Sequence, residues 1–291
     1  MRFETSGLLL AVMLGGCGGE SVGEPPCTAT GRTYASVVTF ATFAEQRDDG
    51  SVEGVNVDGI VSDGTDEAGC FKADAVGSDG ATGIDNQVAT LLPLVKGLVG
   101  EENIDALLGA AIKNGQLIVM TAMRGVDDLV DDACVDVAFG AGLGSPLVDG
   151  DGNYFPFQTF AWDAEAARVS TLYRARIEGG VLRAGPGDVD LPVRVLDANF
   201  TLGIHSTGVA MKVTPTPDGR GATLSGFVGG GIVVEELAKV VASFNIGESV
   251  KGAVIPLLKT RADLGMDGTG ECRQISAALR FETTPSFVLD E

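Results

Sequence analysis

Histidine occurs once in this 291-residue chain, at His205, tryptophan once, at Trp162, and tyrosine three times. A single histidine excludes any metal site built on several imidazoles and leaves a Ser-His-Asp arrangement only one base. That base sits in GIHSTG, alternating with apolar residues, which predicts a strand position facing solvent or a hydrogen-bond partner. The Gly-x-Ser-x-Gly nucleophile elbow is missing. Scarce aromatics argue against a ring-lined sugar cleft, so glycoside hydrolysis by a carboxylate pair is disfavoured. Basic residues are few as well: 20 Lys and Arg stand against 40 Asp and Glu, a formal net charge of −20. Nucleic-acid binding needs clustered cations and is excluded, and a folded face lying on anionic lipid is disfavoured. Long apolar runs are also missing. Gly7 to Leu14 is too short for the ~20 residues of a membrane span, and VATLLPLVKGLVG is interrupted by Pro93 and Lys96. In SGFVGGGIVVEEL, Val234 takes the third position of G-x-G-x-x-G after Gly229 and Gly231, and no Gly-Lys-Ser/Thr follows. Those glycines therefore predict close packing at a strand-to-helix corner rather than phosphate binding.

The short apolar run has the length of a signal-peptide core and is followed by small residues. Leu14-Gly15-Gly16-Cys17 resembles the lipobox of bacterial lipoproteins. The resemblance implies cleavage before Cys17, a diacylglycerol on its thiol and an acyl chain such as palmitate on its new amino group. Several acyl chains anchor stably where one does not. Gly18 and Gly19 follow, with no aspartate at the second position, and by the sorting behaviour of that family this favours the outer membrane. The expected organisation is a signal peptide over 1–16, a lipidated cysteine and flexible tether over 17–33, and a single α+β domain over 34–291.

With Cys17 assigned to lipid, four cysteines remain: Cys27, Cys70, Cys134 and Cys272. An even number in an oxidising compartment predicts two disulfides, and the spacing fits no zinc motif. Three connectivities are open. Loop-closure entropy leans towards Cys70–Cys134, the shorter loop, with Cys27–Cys272 clasping the ends.

Along the chain, TYASVVTFATFA predicts a strand, then a Gly/Asp-rich loop. Asp85 or Asn86 caps a helix through QVATLLPLVKGLV, and ENIDALLGAAIK makes a second one ended by Asn114-Gly115. Short strands follow for more than a hundred residues, with PDGRG as a hairpin turn. VVEELAKVVASF and ESVKGAVIPLLKTRADL form a second helical pair, and ECRQISAALRFETTP closes the chain as a strand. Pro93 and Pro256 are expected to kink or break their helices. Consecutive strands without intervening helices disfavour a parallel sheet. The expectation is an α+β fold, a largely antiparallel β-sandwich or open barrel with two antiparallel helical pairs over an end or a face.

VNVDGIVSDGTDEAGCFKADAVGSDGATGIDNQ carries the densest acidity. Hard cations take six to eight oxygens, and Asn56, Asp58, Asp63, Asp74, Asp85 and Asn86 can converge on calcium if the loop folds back, with Cys70 pinning its middle. An EF-hand is excluded because Gly54 and Thr65 fall where acids belong. Asp149-Gly150-Asp151-Gly152-Asn153 is a second candidate, equally readable as a turn. VDGIVSD, GCFKAD, GIDNQ, DDACVDV and GECRQIS, together with the lipobox, resemble a group of uncharacterised exported bacterial lipoproteins, which implies no activity or ligand. The functional expectation is a non-enzymatic structural or binding role for a protein held at the membrane by its lipid. The alternatives are a carrier of a small apolar ligand between sheet and helical pairs, and a hydrolase using paired carboxylates.

Overall fold

The computed structural model describes residues 30–99, 104–163, 165–166, 168–195, 198–243 and 247–289. Cys17, the signal segment, nearly all of the tether and Cys27 lie outside them. The elements run β1 (Arg32–Phe43), β2 (Ala75–Val76), β3 (Thr82–Ile84), α1 (Gln87–Val99), α2 (Ile104–Lys113), β4 (Val119–Val126), β5 (Asp132–Leu143) and β6 (Gln158–Trp162). Then come β7 (Ser170–Glu178), β8 (Val181–Ala184), β9 (Val189–Val195), β10 (Ala198–Pro215), β11 (Ala222–Val233), α3 (Val234–Ser243), α4 (Glu248–Thr260), β12 (Leu264–Met266) and β13 (Cys272–Leu289).

Eight strands pair in the cycle β1, β4, β5, β7, β8, β10, β11, β13 and back to β1, every contact antiparallel. The sheet is thus a closed barrel, where the sequence left a sandwich or an open barrel. Closure removes both edges. Period-two alternation drives it: Val135, Val137 and Phe139 of β5 and Ile275, Ala277, Leu279 and Phe281 of β13 all join one buried core. An eight-stranded barrel is just wide enough for side chains to fill. Here Phe139, Met120, Leu182, Met211 and Ile275 do so, all but inaccessible to solvent.

One parallel pairing interrupts the antiparallel scheme among the described strands. The end of β13 runs beside β6, and β6 also pairs with the end of β5. Ala35, Ala122 and Ala138 lie level across β1, β4 and β5 and form a separate small cluster with Trp162, Val169 and Val288. Their small side chains let this extra layer lie close against the barrel.

The helices gather at the end of the barrel where β1 finishes and β13 begins. Val88, Leu91 and Leu92 of α1, Ile112 of α2 and Val254 and Leu258 of α4 belong to the barrel core. Helix α4 contacts both α3 and α1, while α2 lies against β1. Asn86 caps α1 by accepting the Ala89 N–H at 3.2 Å. Gly115, with φ of +67°, ends α2 in the left-handed conformation that glycine adopts without strain. Neither proline breaks its helix: α1 runs through Pro93 and α4 through Pro256. The glycine run lies inside β11, before its corner, and its role is packing. A Cβ on Gly229 would meet Val55 at 2.7 Å, and one on Gly230 would meet Ile204 at 2.5 Å.

Candidate functional site

Between β1 and α1 the chain makes no long element. Isolated bridges join Gln46 to Val52, Val55 to Asp85 and Asp63 to Ala73, and the two-stranded sheet β2–β3 completes the segment. Carboxylates and amides replace the missing ladders by accepting backbone N–H groups. Asp58 accepts from Ile60 at 2.8 Å, Asn56 from Gly59 at 2.6 Å, Asp63 from Thr65 at 2.9 Å and Asp74 from Ser62 at 2.6 Å. Asp and Asn are rich here because their side chains mimic a backbone turn.

Three of the six residues assigned to calcium come together. Asp85 is buried and accepts the Val57 N–H at 2.6 Å. Its carboxyl feels the charges of Asp58 and Asp74. Asp63 stays on the exposed 63–66 turn beside Asp66, and Asn86 donates to the Ala44 and Glu53 carbonyls. The stretch from Asp149 to Asn153 is a turn, with Asp149 accepting the N–H groups of Asp151 and Asn153, each at 2.9 Å.

A fourth carboxyl, invisible to sequence reasoning, completes the wall. Asp263 follows α4, is buried, and accepts both the Ser276 N–H at 2.7 Å and its hydroxyl at 2.5 Å. Ser276 in turn accepts the N–H of Gln87, the first residue of α1, at 2.8 Å. Burial pushes the Asp85 carboxyl up to about 7, against the Val57 hydrogen bond and with help from Asp58, Asp74 and Asp263. Burial likewise lifts Asp263 to about 6 and raises Asp74. Desolvation favours the protonated form of each. Among the described residues no group of three or more His, Cys, Asp or Glu side chains is disposed to hold a metal ion.

Cys70 pins this segment, but its partner is Cys272, with Cα atoms 6.2 Å apart and a sequence separation of 202. Cys70 therefore does not pair with Cys134, and the entropic preference for the shorter loop is overridden by the barrel. Closure brings the start of β13 beside the acidic turn, whereas Cys134 stands near the start of β5, at the opposite barrel end. Cys134 is also disulfide-bonded; with Cys70 and Cys272 taken by each other, its partner is not among the described residues.

Beside the acidic wall lies an open groove of about 780 Å³. Buried Val52, Ile84, Asn86 and Gln87 make its floor, while exposed Phe71, Val76 and Arg261 stand at its rim. Asp74 and Lys72 also line it. Cys70 and Phe71 both hold positive φ, 55° and 56°, which turns the Phe71 ring out beside the disulfide. Two consecutive non-glycine residues there are unusual and cost of order 1 kcal/mol each. Gln87 donates to the Ala73 carbonyl at 3.1 Å, and its buried Oε1 has no hydrogen-bond partner.

His205, on β10, faces Asp188, Nδ1 to Oδ1 3.4 Å. Compared with protein-family models, with curated proteins and with solved structures, the chain shows no significant match.

Proposed function

We propose that the protein is an exported, lipid-anchored binding protein and that the groove beside the acidic wall is where it binds a small molecule. The observation that carries this is the contrast in packing. The barrel interior is filled with side chains, while a space of about 780 Å³ stays open between the acidic segment and α1. That volume falls within the ~300–1,000 Å³ range of small-molecule sites. An apolar ligand held between sheet and helices would need room that Leu91, Leu92, Val254 and Leu258 already occupy. Paired-carboxylate glycoside hydrolysis is disfavoured by the scarcity of aromatics, one Trp and three Tyr, to line a sugar cleft.

The lipid anchor rests on the lipobox and is tested separately. Cys17→Ser is expected to release the chain from the membrane fraction, and equal retention would refute it. Binding is tested by native mass spectrometry of protein from its own host, with a retained small-molecule mass expected and lost in Phe71→Ala.

A further inference from the structure

We infer that the groove recognises a primary ammonium group, carried by an amino acid or a short apolar peptide, with Asp74 as its counter-ion; this rests on the binding reading above.

The groove presents acceptors. Asp74 borders it, and Gln87, 9% exposed, is also in its lining, with a buried Oε1 that lacks a donor. An ammonium brings three N–H donors, which the oxygens of an anionic ligand cannot supply. One ligand N–H against Asp74, and another against Gln87 after a small side-chain shift, would answer both. Phe71 at the rim adds a ring face, which attracts ammonium groups. Lys72 and Arg261 also line the groove, as does Asp49, and neither cation has an ion-pair partner among the described residues. A ligand that carries a carboxylate as well as an ammonium would meet both kinds of charge. Val52, Val76 and Ile84, in the same lining, suit an apolar side chain.

The charge balance of binding follows from the groups that face Asp85. Asp58, Asp74 and Asp263 surround it, α1 and β13 contribute only the neutral Gln87 and Ser276, and the cations Lys72 and Arg261 stand at the groove. Asp74 and Asp85 are both raised by burial, and the charge of Asp74 raises Asp85 further, so the pair tends to hold one proton. When an ammonium docks on Asp74, that proton leaves to solvent, the pair passes from one negative charge to two, and the ligand stays protonated. Affinity should therefore tighten as pH rises through the upper range of the pair.

The test is calorimetric titration of the full chain with leucyl-leucine, its N-acetyl derivative, its C-terminal amide, hexanoate and calcium chloride, at pH 5.5 and pH 8. Leucyl-leucine is expected to bind at least tenfold more tightly at pH 8. N-acetylation should cost at least tenfold, and amidation several-fold. Asp74→Asn, conservative in shape, should remove the pH dependence, and Arg261→Ala, on the surface, should weaken the free acid but not the amide. Equal affinity for free and acetylated peptide overturns the ammonium assignment. So does binding of hexanoate alone or calcium alone. If any such probe binds and Phe71→Ala abolishes it, the groove reading survives that failure. If no probe binds, both readings fall.

Discussion

The barrel and the acidic segment solve the same problem, satisfying the backbone, with opposite materials. In the barrel, ladders close on themselves and the side chains are left free to fill the interior. Between β1 and α1 there is too little ladder, so carboxylates accept the turn N–H groups, and three of them, Asp58, Asp74 and Asp263, collect around Asp85. One region is held by closed ladders and buried apolar area; the other is held by side-chain hydrogen bonds and the Cys70–Cys272 bridge. Function, where something has to yield, is better placed in the second.

Each experiment below separates the two regions, beginning with the largest effect. Phe139→Ala empties the barrel centre, where that ring is 2% exposed, and should cost about 3–5 kcal/mol. Denaturant titration should show this equally at pH 5.5 and pH 8. Next, Cys272→Ser removes the bridge that ties the acidic segment to β13 and should cost about 2–5 kcal/mol. Hydrogen exchange should then locate the added opening between residues 52 and 86, with the barrel strands unchanged; opening of the barrel would break the comparison. Thiol mapping of the wild type should join Cys134 to Cys27, five residues before Arg32, and find no free thiol.

The pH response is the third. Folding raises the Asp85 carboxyl from 3.8 to about 7 and Asp263 from 3.8 to about 6. A group raised on folding lends stability that is complete below its unfolded value and lost as pH rises through its folded one. Thermal stability should therefore decline between about pH 4 and pH 7. Asp85→Asn should flatten that decline, a difference on the order of 3 kcal/mol at pH 8; an unchanged slope would place the response elsewhere. Smallest is the cap: Asn86→Ala should cost about 1 kcal/mol, seen as faster exchange in the first turn of α1.

How much of this was legible differs by region for a physical reason. Strand alternation is local, so β1, β7 and the β10–β11 hairpin could be read from TYASVVTFATFA, STLYRARIE and PDGRG. Closure could not, because it depends on β1 meeting β13 from the far end of the chain. The acidic residues were legible as unusual, but the same Asp-Gly-x pattern serves a cation loop and an Asx turn. Asp263 carries no signal of its own: RADLGM reads as a helix end, and only β13 brings Ser276 to it.

The sequence by itself determined the antiparallel β character, four helices, a cap for α1 at Asp85 or Asn86, and the net acidity. These rest on neighbours within a few residues, or on composition, which no fold can change. The tertiary structure alone decided that the sheet closes, that Cys70 meets Cys272 at a sequence separation of 202, and that Asp58, Asp74, Asp85 and Asp263 share one wall. Those depend on which distant segments meet. Burying enough apolar surface to fill a barrel fixes that choice for every residue attached to it, including the carboxyls whose protonation then follows from the burial they could not avoid.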